Sequence, residues 1–497
     1  MQRRCSVQSA ALVGVEAIPV HVEVVVMSGL PGISIVGMPD AAVRESQERV
    51  KSAIKASGFT MPGDKIVINL APGSIRKTGA GFDLPIACAI LGATGQVDPR
   101  VMSSFLLVGE LSLGGKVRPV PGTLPCALLA RHLGLKFAVP ADAEDAVPLE
   151  GLDQRQIKSL GEMRLCDLLP AHFKEPGQAP PLLGFSEIHG HAAAKRAMQI
   201  ASAGEHGILL MGPPGSGKTM LARAMPSILP PLSESEALEA AAIHSVAGEP
   251  VDGILAGMRP FRKPHHSTSM AGLVGGGSPV RPGEISLAHK GVLFLDEIAE
   301  FKPASLQALR QPMEAGSISV TRVHGNVDMP AEFMLVAASN PCPCGYYGDP
   351  EKPCSCSEQA VRRYQNRIGG PLLDRIDMHV DVWRTDPGTI LSSSSEELTS
   401  ARLREGVMTA RSFSSWRHEH LGDAERTRNV QELVASCRMT PACRSLLELS
   451  AKTHHMSGRG ISRVLAVART IADLEESETV SDEHILEALG FRMRKGA

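Results

Sequence analysis

One stretch of the chain reads Gly212-Pro213-Pro214-Gly215-Ser216-Gly217-Lys218-Thr219. It matches the pattern G-x-x-x-x-G-K-[ST] at every required position. An apolar run, 207–211, precedes it and a helical pattern, 220–225, follows it, which is the strand–loop–helix setting of a phosphate loop. Because glycines let backbone N–H groups surround phosphates, we expect this loop to bind ATP. Lys218 would reach the β- and γ-phosphates, and Thr219 would hold Mg²⁺.

A second motif ends a continuous apolar run in two carboxylates: Gly291-Val292-Leu293-Phe294-Leu295-Asp296-Glu297. Such runs are typical of buried parallel strands, and ligands bind at the carboxyl ends of these strands. Asp296 is expected to hold Mg²⁺ mostly through water, and Glu297 to polarise the attacking water. A capping role for the next helix could explain one carboxylate but not both. The pair also argues against 212–219 being a tight turn that binds nothing.

The composition sets limits on the partners. The chain has 497 residues, enough for about three domains, and 43% of them are hydrophobic although only 3% are aromatic. Its formal net charge is -2, so any nucleic acid has to be bound by local positive charge. We expect neither a signal peptide nor a membrane span, since His21 and Glu23 interrupt the one candidate apolar segment near the N-terminus.

The ten cysteines fall into two groups. Six are scattered, which suits a reduced cytoplasmic location: Cys5, Cys88, Cys126, Cys166, Cys437 and Cys443. The other four form two C-x-C pairs: Cys342, Cys344, Cys354 and Cys356. Four thiolates can hold Zn²⁺ in a closed tetrahedral site, although C-x₂-C is the usual spacing. A disulfide pair or an iron–sulfur cluster are the alternatives, and we favour zinc.

Parts of the first 170 residues are similar to a Lon-protease-type α/β domain. The resemblance is carried by 69–72 (Asn-Leu-Ala-Pro), 81–87 (Gly-Phe-Asp-Leu-Pro-Ile-Ala), 109–113 and 120–122. In a Lon protease a serine and a lysine perform the chemistry. Gly81 stands where the serine would be, and Leu124 stands where the lysine would be. The domain is therefore interpreted as a non-proteolytic binding or assembly module, with Ser74 and Lys77 as the one alternative dyad.

The order of the remaining motifs resembles that of AAA+ ATPases. With the Lon-like domain in front, essentially the whole chain resembles the ComM-type competence family of magnesium-chelatase-like AAA+ proteins, which shares the cysteine cluster. The resemblance implies that Asn340, at the end of an apolar run, is sensor 1. It implies that Arg375, in Leu372-Leu373-Asp374-Arg375-Ile376-Asp377, is an arginine finger that reaches a neighbouring subunit. An ion pair within the subunit, to Asp374 or Asp377, is the alternative role of Arg375.

The same resemblance implies a sensor 2 arginine in the helical pattern 457–475. Arg459 is the first candidate for it and Arg463 the second. The fold class expected is α/β multidomain, with a Lon-like domain at 1–170 and a Pro/Gly-rich linker at 171–184. An AAA+ core with a parallel sheet would follow at 185–385, and an all-α lid at 386–497.

Two further segments are candidate DNA contacts. The insertion 259–277 combines basic, imidazole and hydroxyl side chains with glycines, and that composition suits either phosphate contacts or a solvated loop. A hairpin formed by 317–322 and 326–329 carries Arg322 near its tip. Its position between the second motif and the next strand is similar to that of the pre-sensor hairpin in helicase-like AAA+ proteins. A plain surface hairpin is the alternative.

The resemblance implies an ATP-driven homo-hexamer that acts on single-stranded or branched DNA. Its expected activity is that of a helicase promoting branch migration during natural transformation and homologous recombination, with recombination proteins as further partners. Two other functions stay open. One is a chelatase motor that inserts Mg²⁺ into a porphyrin, for which the Lon-like domain would be unnecessary. The other is an ATP-dependent protease, which the missing serine and lysine disfavour.

Overall fold

A computed structural model describes residues 3–492 apart from 166, 174–181, 278, 323–324, 389–397 and 424–428. Two α/β units follow one another along the chain, and a set of helices closes the second unit. Most of the predicted linker, most of the predicted boundary at 385–395, and the hairpin tip all lie outside the described residues. The domain limits given above stay predictions.

The first unit is built on a seven-stranded mixed sheet with strand order β3-β4-β2-β1-β5-β8-β9. Its strands β1–β5, β8 and β9 are Arg3–Val13, Glu16–Met27, Gly32–Val36, Lys65–Ala71, Phe105–Leu107, Lys136–Pro140 and Gln154–Ile157. Antiparallel pairing of β1 with β2 and of β2 with β4 forms the centre. The first strand was not predicted. Its polar start, Arg3-Arg4, and its small residues hide the alternation that marks a strand.

A short hairpin of this unit turns at Gly114-Gly115. It joins β6 (Glu110–Leu111) to β7 (Val117–Arg118), whereas β5 belongs to the main sheet. The helices of this unit are α1–α4: Ala41–Ala56, Asp83–Ala93, Pro99–Met102 and Thr123–His132. Helix α2 is buried along its whole length. It therefore forms the centre of the hydrophobic core of this unit.

The two units are joined by a packed interface. In the second unit, helices α5–α8 are Ala192–Gly204, Lys218–Ala224, Glu234–Ala247 and Asp252–Leu255. Side chains of α4 and α7 share one hydrophobic cluster, in which Leu124 and Ala240 are fully buried. Burying one leucine contributes about 2 kcal/mol. The backbone N–H of Gly122 donates to the carbonyl of Ser245 at 3.0 Å. The first unit is thus fixed on the ATPase core.

The ATPase core is an all-parallel sheet of five strands in the order β11-β14-β17-β10-β18. These strands are β10 Ile208–Met211, β11 Phe261–Arg262, β14 Val292–Leu295, β17 Met334–Ser339 and β18 Met378–Asp381. Strand β17 lies between the strand before the phosphate loop and the strand that ends at Asp296. All three candidate nucleotide motifs therefore follow adjacent strands and meet at one edge of the sheet.

Smaller elements surround this sheet. Two short strand pairs are β12–β13 (Gly275–Gly276 and Arg281–Pro282) and β15–β16 (Ser317–Arg322 and Gly325–Pro330). The second pair is the predicted hairpin, although the side chain of Arg322 lies outside the described part. Helices α9–α14 are Met270–Val274, Glu284–Leu287, Pro303–Ala308, Pro312–Ala315, Glu358–Gln365 and Gly370–Leu373.

The C-terminal part is helical, as predicted. Helices α15–α19 are Ser400–Leu421, Val430–Cys437, Pro441–Thr453, Gly458–Leu474 and Asp482–Gly490. Apolar side chains of α18, among them Val464 and Leu465, join the same hydrophobic core as one face of the ATPase sheet. Within the described ranges, no helix combines the length and the apolar character needed to cross a membrane. The confirmed fold is a mixed α/β architecture with a parallel sheet and a helical lid.

Candidate nucleotide site and arginine cluster

The phosphate loop folds around the ammonium group of Lys218. Nζ of Lys218 donates to the carbonyls of Gly212 at 2.7 Å and Pro213 at 2.8 Å. It also donates to Oδ1 of Asn340 at 3.3 Å. A Cβ atom on Gly212 would lie 1.9 Å from the Val382 carbonyl oxygen, so only glycine fits at the start of the loop. The structure thus brings the predicted sensor 1 residue to the predicted phosphate loop.

The environment of Lys218 changes its acidity. Burial lowers the pKa of its ammonium group to about 8, although the charges of Asp296 and Glu297 oppose this shift. At neutral pH the group stays mostly protonated, and its hydrogen bonds go to backbone carbonyls. A phosphate that arrives in the loop can replace these neutral acceptors with charged ones, which bind an ammonium group more strongly.

The carboxylate of Asp296 lies beside Thr219. Thr219 Oγ1 donates to Oδ2 of Asp296 at 3.2 Å, so the two predicted Mg²⁺ ligands are adjacent. Lys263 Nζ contacts the same oxygen at 2.8 Å. Sequence reasoning missed this contact and grouped Lys263 with possible DNA contacts. The signal was hard to find, because β11, which places Lys263 at this edge, is only two residues long.

Glu297 has an unusual backbone conformation. Its φ and ψ are both 50°, in the left-handed region that non-glycine residues seldom occupy. Its side chain is exposed, at the same edge of the sheet as Lys218. Such conformations cluster at functional sites, where the surrounding fold has to hold them. The geometry is compatible with a carboxylate that faces a bound nucleotide and a water molecule.

The positively charged side chains at the start of the insertion 259–277 form hydrogen bonds and ion pairs with other residues of the chain. Arg259 donates to the carbonyl of Lys290 at 2.7 Å. Arg262 forms ion pairs with Glu249 at 2.8 Å and with Glu284 at 2.7 Å. Together with the Lys263–Asp296 pair, these contacts leave 259–263 without a cation free for DNA. In this conformation the cations of 259–263 are paired within the chain, and the interpretation of the insertion 259–277 as a DNA contact stays a prediction.

Arg375 lies at the opposite edge of the sheet from the phosphate loop. The N–H of Asp377 donates to the carbonyl of Gly207, just before β10, whereas Gly212 follows β10. Five residue steps of about 3.3 Å separate those two glycines by roughly 16 Å. Arg375 is buried, and its Nη2 pairs with Glu314 at 2.7 Å. The ion pair is internal, but its acid is neither Asp374 nor Asp377.

The two sensor 2 candidates gather around Arg375. Arg463 pairs with Asp377 and donates to the carbonyl of Arg375 at 2.7 Å. Arg459 is 64% exposed, and its Nη2 lies 3.5 Å from Glu314. Nε of Arg375 and Nε of Arg463 are buried and have no hydrogen-bond partner among the residues that the structure describes. Neither candidate lies at the phosphate loop of its own chain, so a contact with γ-phosphate would need a nucleotide held by another subunit.

A cavity of about 930 Å³ separates the lid helices from this edge of the sheet. Arg459 and Arg463 belong to its wall, and no residue of 212–219 does. A nucleotide held by the chain's own phosphate loop therefore lies elsewhere. We refer to Arg375, Arg459, Arg463, Glu314 and Asp377 as the arginine cluster.

The four clustered cysteines converge on one point. Their sulfur atoms all lie within 4.8 Å of one another, and three of the separations are 3.4, 3.5 and 3.6 Å. A disulfide would need about 2.05 Å, whereas the sulfur atoms of a ZnS₄ tetrahedron are about 3.8 Å apart. Burial raises the pKa of the Cys344 thiol, but backbone N–H groups of Tyr346 and Ser355 bring it down to about 5. The donor set fits a single Zn²⁺ ion.

The segment 342–356, which we call the cysteine loop, also contacts the phosphate loop. Gly345 has a φ of 86°, and a Cβ atom there would lie 2.5 Å from Cδ of Pro214. The chain between Cys342 and Cys344 directly follows the strand that ends at Asn340. The cysteine loop, phosphate loop and sensor 1 therefore form one packed unit.

In the described part of the Lon-like unit, no hydrogen bond joins the alternative dyad of Ser74 and Lys77. Leu124 is buried, and its N–H donates to Ser245 of the ATPase core at 3.3 Å. Lys77 is also buried, and its Nζ donates to the carbonyl of Pro72. Ser74 is exposed. The position expected for a catalytic lysine is thus part of the interface between the two units.

Comparison with known proteins agrees with this architecture. Sequence profiles of the magnesium chelatase subunit ChlI match residues 22–143 and 184–390, and the profile of its C-terminal part matches 397–492. Competence protein ComM of Haemophilus influenzae is 38% identical over 98% of this chain and 97% of its own length. The chain belongs to this magnesium-chelatase-like family. Membership makes it an AAA+ ATPase of the magnesium-chelatase type.

Other relatives in this family differ in how much of the chain they match. The uncharacterised protein YifB of Escherichia coli strain K12 is 39% identical over 98% of this chain and 96% of its own length. A magnesium-chelatase 67 kDa subunit of Chlorobaculum parvum is 28% identical over only 32% of this chain and 24% of its own length. ComM and YifB therefore match this chain over its full length, whereas this chelatase subunit matches only a part of it.

Proposed function

We propose that this protein is an ATP-hydrolysing motor that acts on DNA as a homo-hexamer. In this proposal it promotes branch migration during natural transformation and homologous recombination, in the cytoplasm and with recombination proteins as partners. The observation that supports hydrolysis best is the grouping of Lys218, Thr219, Asp296 and Asn340 at one edge of the sheet. The name of the relative ComM supports the link to competence.

Each residue at this edge has a defined role in the proposed reaction. Lys218 leaves its carbonyl partners and binds the β- and γ-phosphates, while Thr219 and Asp296 hold Mg²⁺. Bound Mg²⁺ neutralises charge on the phosphates. Glu297 accepts a proton from the attacking water, and Asn340 orients that water. Lys263 shares Oδ2 of Asp296 with Thr219 and would compete with Mg²⁺ for this carboxylate.

The arginine cluster supports the proposed ring. Because it lies at the opposite edge of the sheet, Arg375 can reach a γ-phosphate only if a neighbouring subunit presents one. Arg459 and Arg463 adjoin Arg375 and would face the same nucleotide. A planar guanidinium suits the charge that spreads over the phosphate oxygens in the transition state. We propose that the cluster opens when two subunits meet.

The cysteine cluster is proposed to hold one Zn²⁺. The separations of its sulfur atoms support a single ion over an iron–sulfur cluster, since four irons would place their thiolates further apart. When bound, Zn²⁺ would fix the loop between Cys342 and Cys356. Elemental analysis of the purified protein should then find about one zinc per chain. Folded protein without metal would contradict the site.

The test of the motor is the steady-state rate of ATP hydrolysis with and without DNA. The rate is measured alone and with single-stranded, duplex and branched DNA, and Glu297→Gln protein is the blank. That variant should bind nucleotide normally but lose hydrolysis by at least about 100-fold, because its amide accepts no proton. Unimpaired turnover in the variant would contradict the role of Glu297. A wild-type rate indifferent to every DNA at low salt would contradict the DNA motor.

The chelatase motor is the second candidate, and the partial match to a magnesium-chelatase subunit supports it. It predicts ATP hydrolysis that responds to a porphyrin-binding partner instead of DNA. The relative ComM matches 98% of the chain and the chelatase subunit only 32%, which counts against the chelatase motor. An ATP-dependent protease would degrade casein, and no described contact joins Ser74 to Lys77 to support this.

A further inference from the structure

Arg259, Arg262 and Lys263 are paired within the chain, so contacts to the phosphates of a nucleic acid need another positively charged surface. Within the described residues, a separate basic surface occurs on helix α13, which directly follows the cysteine cluster. Its buried face carries Val361 and Tyr364. Its exposed face and the turn after it carry three arginines and two amides: Gln359, Arg362, Arg363, Asn366 and Arg367. We refer to these five side chains as the α13 basic face.

The spacing of the α13 basic face places its side chains together. Steps of three and four residues bring helical side chains onto one side. These five residues line a shallow concavity of about 400 Å³. Because the whole chain has a net charge of -2, three guanidinium groups on two helical turns are a local concentration of positive charge.

The charge on this face is largely uncompensated. Neither Arg362 nor Arg363 has an ion-pair partner among the described residues. Arg367 pairs with Glu300 at 3.3 Å, but the two side chains are 51% and 41% exposed. Exposed pairs of this kind contribute little and are easily exchanged for another anion. Arg362 and Arg363 can therefore bind a ligand without loss of an ion pair. Arg367, which also lies over the ring of Tyr364 at 5.5 Å, would exchange only its exposed partner Glu300.

We infer that the α13 basic face binds the phosphate backbone of nucleic acid. This inference rests on the proposed action on DNA. Guanidinium groups bind phosphate oxygens with two parallel hydrogen bonds, and amides such as those of Gln359 and Asn366 also bond to phosphate and sugar. The repeated phosphates of a strand match several guanidinium groups along a helix better than one small anion does.

The same helix is connected to the nucleotide site. Gln365, the last residue of the helix, donates from its side-chain amide to the carbonyl of Pro341, the residue after Asn340, at 3.0 Å. Glu300, the partner of Arg367, lies three residues after Glu297. Nucleic acid on the α13 basic face would thus lie one helix away from the hydrolysis site. That placement provides a route by which bound DNA can change the rate of hydrolysis.

The experiment measures how DNA affinity depends on salt. Wild-type protein, the double variant Arg362→Ala with Arg363→Ala, and a control with Arg402→Ala and Arg404→Ala are titrated onto a fluorescently labelled single-stranded oligonucleotide. Arg402 and Arg404 are likewise exposed arginines, on helix α15 of the lid. Each phosphate contact contributes about -0.7 to the slope of log K against log salt for a single strand. The α13 double variant should lose about 1.4 from this slope, and the control should keep the wild-type slope.

Several outcomes decide the inference. Equal slopes in the two double variants would overturn it, and so would an α13 variant that loses its hexamer, because this face would then be a subunit contact. The conservative double variant Arg362→Lys with Arg363→Lys should keep most of the slope, because lysine preserves the positive charge. Hydrolysis without DNA should be equal in all proteins, which shows that they are folded. Wild-type protein that binds no DNA even at low salt would instead contradict the proposed function itself.

Discussion

The two edges of the ATPase sheet differ in the contacts that their candidate functional side chains make within the chain. At the carboxyl edge, Lys218 contacts Asn340 and Thr219 contacts Asp296, so groups that act on one nucleotide already touch within the chain. At the amino edge, Arg375 and Arg459 both approach Glu314, so positive groups are held by the chain's own acid. The first edge is ready for its ligand, whereas the second has to exchange an internal partner for one. This difference is what an ATPase that works between subunits requires.

The largest effect is expected at the carboxyl edge. Lys218→Ala removes the ammonium group that would bind two phosphates, and charge-assisted hydrogen bonds of this kind contribute about 3 kcal/mol together. Nucleotide affinity should fall at least about 100-fold. Binding of a fluorescent ATP analogue measures it, with Lys263→Ala as the control that removes a nearby ammonium outside the phosphate loop. Equal losses in both variants would contradict the special role of Lys218.

A substitution at the amino edge should lower the rate of ATP hydrolysis and leave nucleotide affinity unchanged. Arg375→Ala should lower the rate of hydrolysis about 1,000-fold or more, because an arginine finger acts on the transition state. Nucleotide affinity should change by less than about threefold. Mixing Arg375→Ala with Lys218→Ala protein should recover some activity, since a ring could pair an intact loop with an intact arginine. No recovery, with mixed rings shown to form, would mean that Arg375 acts within its own subunit or only structurally.

A smaller change in nucleotide affinity tests whether the cysteine loop holds the phosphate loop in position at the carboxyl edge. Gly345 and Gly348 both have positive φ, at 86° and 77°. An alanine at either position is therefore strained by a similar amount, about 1–2 kcal/mol. Only at 345 would the new Cβ collide with Pro214, whereas at 348 it would lie 3.5 Å from Trp383. Gly345→Ala should weaken nucleotide binding by about tenfold relative to Gly348→Ala, with equal zinc content. Equal nucleotide affinities of the two variants would show that the cysteine loop does not support the phosphate loop.

The smallest effect is a dependence on pH. Because burial lowers the pKa of Lys218 to about 8, the free protein loses this charge as pH rises through 8. A lysine that must be protonated to bind phosphate then gains a proton on binding. Nucleotide affinity should be constant below pH 7 and weaken by up to about tenfold per unit above pH 8. Lys218→Arg, whose guanidinium stays charged, should show a flat profile between pH 7 and 10 whatever its affinity.

The sequence by itself determined the local chemistry of the carboxyl edge. A phosphate loop and an acidic strand end are continuous segments with fixed spacing, and their chemistry needs neighbouring residues. The four clustered cysteines were also predictable from their two C-x-C pairs, whereas the role of Asn340 came from the resemblance to AAA+ proteins. The positions of Glu297 and Asp296 followed from one apolar run. Each of these motifs lies within one short continuous segment, so it could be found without knowledge of the strand order in the sheet.

Only the tertiary structure decided which charges remain available. The cations at 259–263 have the composition of a DNA-binding loop, yet their partners Glu249, Glu284 and Asp296 come from other elements. Glu314 precedes Arg375 by a whole hairpin and strand, so no local pattern predicts their ion pair. Ion pairing depends on distance in space, and helices and strands far apart in the chain set that distance. The sequence therefore specifies the reactive groups, and the packing of the fold selects which of them are free to act.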